Sequence, residues 1–296
     1  MPRARAGGGD VLPGLEFAGR HSSEFGIIVL RVEREPLPAA RVATLTVTGR
    51  HGSWFYRAEL EPRRFTVTLG IEHQEPEELV DQLYQLADWL APTRGVAPLA
   101  FDIDPERYWL ARVASVDPPE RLAPDFVAVT VVFECPDPFA YAVEDDVLTI
   151  TLAELYEGRP RYNSAAAYNQ GARGRYNQLS TGQLVTRTFT RRGTAPSPPL
   201  ITIEGRIEEG RGAVTVALNG ATVTYRGPLS PGERLVIDGD HLTAYRESPS
   251  GRLPSLAGLS TLAVPVTVPG ENSLAVVTTG AARVYQIEVA CRSRWF

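Results

Sequence analysis

In FVAVTVVFEC, residues 126–135, every second side chain is apolar, so Val127, Val129, Val131, Phe133 and Cys135 share one face of an extended chain. This period of two is the pattern of a half-buried strand, and it recurs along most of the sequence. RRFTVTLGIE sets Phe65, Val67, Leu69 and Ile71 against Thr66, Thr68 and Glu72, and VYQIEVAC sets Tyr285, Ile287, Val289 and Cys291 on one face. In EPEELVDQLYQLADWLAPTRG the period lengthens to that of a helix. Leu79, Leu83, Leu86 and Leu90 form a stripe there, with Val80 and Ala87 beside it. Pro76 suits the first helical position, Glu77 and Glu78 suit the positive end of the helix dipole, and Pro92 and Gly95 stop the helix. The chain is therefore expected to be mainly β, with one amphipathic helix packed on a sheet.

At 296 residues the chain exceeds what one core usually organises, which predicts more than one domain. Residues 1–146 read as a β-sandwich or sheet carrying the helix and a hairpin. TLTVTGRHGSWF and RRFTVTLGIE are its strands, with turn glycines in GRHGS. FDIDPERYWLARV reads as a hairpin rather than a metal site, because no histidine or further carboxylate cluster accompanies Asp102 and Asp104. Phe101 and Ile103 then share a face, Asp104-Pro105-Glu106-Arg107 forms a type I turn, and residues 108–113 return.

From residue 199 to 296 the pattern is all-β. Asn219-Gly220 joins two alternating strands, Asp238-Gly239-Asp240 repeats the device, and NSLAVVTTGAARVYQIEVACRSRW supplies a closing pair. Strands at this spacing indicate a β-sandwich. Residues 147–198 hold the first strand of this second domain and an inserted arm. Within the arm, YEGRPRYNSAAAYNQGARGRYNQLSTGQ repeats Tyr-Asn at Tyr162, Tyr168 and Tyr176 and shows neither period. Such a segment is either disordered or a binding element.

Several function classes are excluded by residue type. The formal net charge is −5 and the arginines are dispersed, which argues against a grip on nucleic acid. Lysine is absent, so no phosphate-loop lysine or Schiff base can form. The N-terminus lacks the apolar stretch of a secretory signal, and no run approaches the ~18 apolar residues of a membrane span. A soluble product of the cytoplasm is expected. The four histidines are isolated, no Gly-x-Ser-x-Gly elbow occurs, and the two cysteines read as buried free thiols on separate strands.

Six segments, in order, are similar to the distal tail protein family of long-tailed, non-contractile bacteriophages. They are GRHSSEFGIIV, TGRHGSW, PRRFTVTLGIE, LADWLAP, LAFDIDPERYWLARV and VTVVFECPDPFAY, spanning about residues 15–141. RRGTAPSPPLITIEG, LNGATVTYRGPLSPGERLVID and VPGENSLAV resemble the galectin-like β-sandwich that ends many members. The arm, residues 157–183, departs from shorter members, in which the join is brief.

The resemblance implies a structural part, not an enzyme, and no cofactor. In the family, copies of the chain form a homohexameric ring at the end of the tail tube. That ring contacts the tail tube protein and a tail-tip hub or tail-associated protein, and it anchors host-adhesion components. The expected location is the tail tip of the virion, after assembly in the host cytoplasm, with no membrane involved. DNA passes the lumen without specific binding, and the acidic balance of the chain predicts a neutral or negative pore lining, since an arginine collar would hold phosphates.

Gly49, Arg50, Gly52 and Trp54 of TGRHGSW are the candidate ring contact. Arginine and tryptophan favour interfaces, and glycines let backbones approach. The other reading leaves an exposed turn with Trp54 in the subunit's own core. Tyr162, Tyr168 and Tyr176 form a candidate partner-binding arm, a receptor-binding protein being one partner. Two rival classes stand beside the ring. One is a carbohydrate-binding module contributing to host-surface attachment, with a host glycan at Tyr225, His241, Tyr245 or Trp295; the other is a cell-wall hydrolase, for which no constellation stands out.

Overall fold

Most strands form where the alternation predicts them, although TLTVTGRHGSWF is strand only to Leu45 and again from Trp54, with Thr46, Val47 and Thr48 joining the connection. In a computed structural model, which describes residues 14–150, 184–261 and 264–296, the strands build two compact units that divide between Val143 and Glu144. In the first unit the strands are β1 (Leu15–Phe17), β2 (Arg20–His21), β3 (Ile27–Arg34), β4 (Ala40–Leu45), β5 (Trp54–Leu60), β6 (Arg63–Glu72), β7 (Ala97–Phe101), β8 (Asp104–Val116), β9 (Glu120–Ala123), β10 (Phe126–Cys135) and β11 (Ala140–Ala142), with α1 (Pro76–Trp89) after β6. The sheet order is β2-β1-β7-β8-β10-β6-β3, all antiparallel. β8 pairs with β7 through its first half and with β10 through its second, so it passes from one layer into the next.

Rings from the two layers meet in the core. Phe17 packs edge-on to Phe133 with centroids 5.1 Å apart, and Phe65 lies 5.1 Å from Trp109 and 5.5 Å from Phe101. The inward faces of β6 and β10 are those read from the alternation: Phe65, Val67, Leu69 and Ile71, and Val127 through Cys135 at every second position, are all buried.

The helix lies on this core by its C-terminal half. Leu86, Trp89 and Leu90 are buried, whereas Val80 and Ala87, which the stripe placed beside them, face solvent. Trp89 anchors the packing, stacking on Phe25 at 4.8 Å and donating from Nε1 to the Phe17 carbonyl at 3.0 Å.

The 101–113 hairpin reverses earlier than its Asp-Pro pair suggests. Asp102 and Ile103 make the turn, Ile103 is exposed, and Phe101 pairs with Asp104. The next pair across to β7 is Ala100 with Tyr108, so Pro105 sits in a bulge that asks no ladder hydrogen bond of it on that side. Asp102 fixes the reversal by accepting from the Gly14 backbone N–H at 3.0 Å.

In the second unit the strands are β12 (Asp146–Ile150), β13 (Leu184–Arg191), β14 (Leu200–Leu218), β15 (Ala221–Tyr225), β16 (Arg234–Asp238), β17 (Thr243–Ser248), β18 (Gly251–Pro254) and β19 (Gly270–Cys291). Their order is β12-β19-β14-β16-β17-β18, with β13 on β19 and β15 on β14. The expected closing pair at the C-terminus is instead one long bent strand, β19, and β14 is its equally bent partner. Residues 200–207 of β14 pair with 282–290, and residues 212–218 pair with 274–280, with register breaks between. The two long strands thus run through both layers, and a single core from Ile150 to Cys291 fills the space between.

Tyr285 is the casualty of that bend. The break beside Gly205 shifts the alternation, so Ile287, Val289 and Cys291 point inward while Tyr285 is half-buried. Asn219 and Gly220, with φ of 51° and 85°, form the two-residue turn their sequence signals, and both central residues are left-handed as a type I′ turn demands. Both cysteines are free and buried. Burial pushes the Cys135 thiol up to about 12 and the Cys291 thiol to about 11, so neither is a thiolate at neutral pH.

Candidate functional site

The β4–β5 hairpin stands apart from the first unit's core. Its register runs from Ala40 opposite Leu60 to Leu45 opposite Trp54, and the pair is a two-stranded sheet joined by no further described strand. All of β4 is exposed, and so is β5 until its last two residues. Trp54, Phe55 and Tyr56 are 48%, 66% and 62% exposed, and Val42, Leu45 and Val47 add to the apolar surface. Trp54 and Phe55, opposite Leu45 and Thr44, point to opposite faces, while Tyr56 stands at a register shift between Phe55 and Arg57.

Two-stranded hairpins are marginal in water, and contiguous exposed apolar surface on this scale marks an interaction site. One exposed ion pair crosses the hairpin, Arg41 Nη2 donating to Glu59 Oε2 at 2.6 Å, and Arg57, on the same strand as Glu59, lies 3.3 Å from that carboxylate. Pairs this exposed contribute little to holding the strands together. The hydrogen bond from Arg41, with the nearby charge of Arg57, holds the Glu59 carboxyl below its ordinary range.

All four candidate ring-contact residues fall on this hairpin. Trp54 lies outside the subunit's core, which removes the reading that buried it there. The Arg50 guanidinium sits 4.5 Å from the Trp54 ring centroid, a cation–π contact that stiffens both side chains. Gly49 and Gly52, with φ of 83° and 81°, have no atom within 4 Å of where a Cβ would stand. Within the subunit their role is the left-handed turn, not close approach. Tyr162, Tyr168 and Tyr176 lie outside the described residues.

The residues weighed as sugar contacts do not form one platform. Tyr225 is buried, donates to the Pro228 carbonyl at 3.0 Å and lines a hollow with Arg226, Arg246 and Ser255. Tyr245 lies under the Arg252 guanidinium at 4.6 Å and lines another hollow with Glu204, Arg234 and Glu288. His241 is held 2.8 Å from the Asp238 carboxylate, which raises its pKa.

One polar cluster went unread in the sequence. His21 Nδ1 accepts from the Ser23 backbone N–H at 3.2 Å, which leaves Nε2 to donate to Asp102 at 3.1 Å. Glu24 accepts from the His21 N–H, closing a capping box over the short 3-10 helix Ser22–Phe25. The imidazole is a clamp between the chain's start and the Asp102 turn. Periodicity gives no sign of such a cap. Among the described residues no group of three or more metal-binding side chains gathers, and no helix is long and apolar enough to cross a membrane.

In comparison with known proteins, residues 21–135 match the family model of the phage tail protein RIFT-related domain. The fold is similar to that of one particular phage protein, the Dit protein of phage SPP1. The two align with a TM-score of 0.69 over 97% of this chain and 100% of that one, at 13% identity. The SPP1 structure is described as a paradigm of the hub adsorption apparatus in phages that infect Gram-positive bacteria. Chains of the phage p2 baseplate in its activated conformation, with Ca or with Sr, align over 92% of this chain and 99% of theirs at 9% identity, with TM-scores of 0.45 and 0.47. No curated protein matches the sequence. The resemblance to distal tail proteins thus stands on the first unit's sequence and on the whole chain's fold, while neither finding marks the second unit as galectin-like.

Proposed function

We propose that this chain is a structural subunit of a bacteriophage tail tip, a distal tail protein whose copies close a six-membered ring between the tail tube and the tip or baseplate hub. The observation that carries the reading is the β4–β5 hairpin, a solitary pair of strands with aromatic side chains on both faces. A hairpin laid on a different surface of the next copy is a head-to-tail contact, and such contacts generate closed rings when the rotation between copies closes. The family match over residues 21–135 and the fold shared with SPP1 Dit support a tail-tip role.

In this reading the first unit forms the ring and meets the tube and hub proteins. The second unit, with the arm of residues 157–183, is the part available to adhesion components. The lumen passes DNA without holding it, behind a lining that is neutral or acidic. None of these roles requires a bond to be made or broken by the protein's side chains.

Gold-labelled antibody against the purified chain tests the location. Label at the distal end of the tail in intact particles is the expected result. Label on the head, or its absence from washed virions, overturns the proposal.

A further inference from the structure

The strands that deliver and receive the hairpin each place an arginine at its root. Arg34 ends β3 and Arg63 begins β6. Arg63 is only 4% exposed, and its Nε and Nη2 have no acceptor among the described residues. Nearby, the Arg34 guanidinium lies 5.7 Å from the centroid of Trp109, whose buried Nε1–H is also unpartnered. Buried N–H groups are nearly always paired, so three such donor atoms at one end of a core are an unfilled demand for an acceptor.

No described residue meets that demand. Burial and the neighbouring Arg34 charge both lower the Arg63 pKa, with Glu35 and Cys135 opposing. The Cys135 thiol stays protonated and supplies no charge. Arg191, also deeply buried, likewise leaves Nε and Nη1 without an acceptor among the described residues, but its Nη2 donates to the Ala195 carbonyl and the Asp146 charge lies in range.

We propose that Arg34 and Arg63 receive a carboxylate from a second copy of this chain, so that the contact begun by the hairpin is locked at its root by an ion pair the lone subunit lacks. This rests on the ring reading above and specifies its chemistry. A second copy is the fitting partner because residues 14–143 carry twenty carboxylates against twelve arginines. A neighbour therefore has carboxylates in excess to offer these two clustered cations. Position points the same way: Arg34 and Arg63 flank the segment, residues 35–62, that holds the exposed hairpin. A guanidinium fork matches a carboxylate with two parallel hydrogen bonds, which a compact ammonium could not supply.

The test compares full-length Arg34→Met, Arg63→Met and the double variant with the unaltered chain, by thermal melting and by light-scattering mass against concentration and salt. The Arg63→Met subunit is expected to melt no lower than the parent, because a methionine replaces an unpaired buried charge. Its self-association is expected to weaken about tenfold or more, and added salt is expected to weaken the parent's association more than the double variant's. If Arg63→Met does not fold, Arg34→Met, altered at the exposed rim, carries the comparison. A double variant that assembles like the parent overturns this inference and leaves the ring reading standing. A parent chain that stays monomeric at every concentration overturns both.

Discussion

A chain with Trp54, Phe55 and Tyr56 replaced by serine is expected to fold normally and to stop at the monomer. The three side chains are about half or more exposed in the subunit, and none belongs to its buried core. Exposed substitutions usually change stability by within about 0.5 kcal/mol, which in a protein this size moves the melting temperature by only about 1–2 °C. An interface would respond quite differently. Aromatic anchors at the centre of a contact each cost about 2 kcal/mol or more when truncated, so losing three together removes the association over any practical concentration range. Circular dichroism and mass in solution decide it: a folded monomer is the expected pair of results, and an undiminished oligomer removes the hairpin from the contact.

The second large effect lies in the other unit. Gly280 has a φ of 59°, and a Cβ built there would stand 1.9 Å from the Arg211 carbonyl oxygen and 3.0 Å from its carbon. Both atoms are backbone, so no side-chain rotation relieves the clash. Here β14 and β19 bend together between layers, and the register break lies between Ile207 and Gly212. Gly280→Val is expected to destabilise the second unit by about 3–5 kcal/mol, the sum of a strained left-handed residue and an overpacked backbone contact. Gly220→Ala is the control. Gly220 also has positive φ but no atom within 4 Å of its added Cβ, so only the backbone preference is lost, about 1 kcal/mol. Calorimetry showing the two variants melting alike would contradict this account of the bend.

The contrast between Gly280 and Asn219-Gly220 shows what the sequence makes legible. A two-residue turn is local chemistry, written in the residues that adopt it, so the 219–220 hairpin could be read directly. A bend in a 22-residue strand depends on which backbone lies across from it, and that partner is some seventy residues away in the chain. The strands on either side of Gly280 therefore look like a hairpin until the register is known. For the same reason simple alternation places Tyr285 on the inward face, where the structure leaves it half-buried.

Asp104-Pro105 teaches a related point. Asp-Pro favours a turn and equally suits a bulge, and the choice is made elsewhere, by Gly14 donating to Asp102 from 88 residues away in the chain. In the candidate site, Trp54 was visible as a residue of the right type, but its exposure was not. Trp89 and Trp109 are the same residue type and lie in the core. What separates them is that, among the described strands, β5 pairs with β4 alone, and its first five residues are exposed. Arg63 was invisible as a site residue, because a lone arginine opening an alternating strand carries no sign of being inward and unpaired.

The account rests on self-assembly, and the most direct test is to image the purified full-length chain by negative stain while measuring its mass by light scattering. A six-fold annulus with six times the 32.3 kDa subunit mass is the predicted result. Single subunits at every concentration, without symmetry in any view, would contradict it.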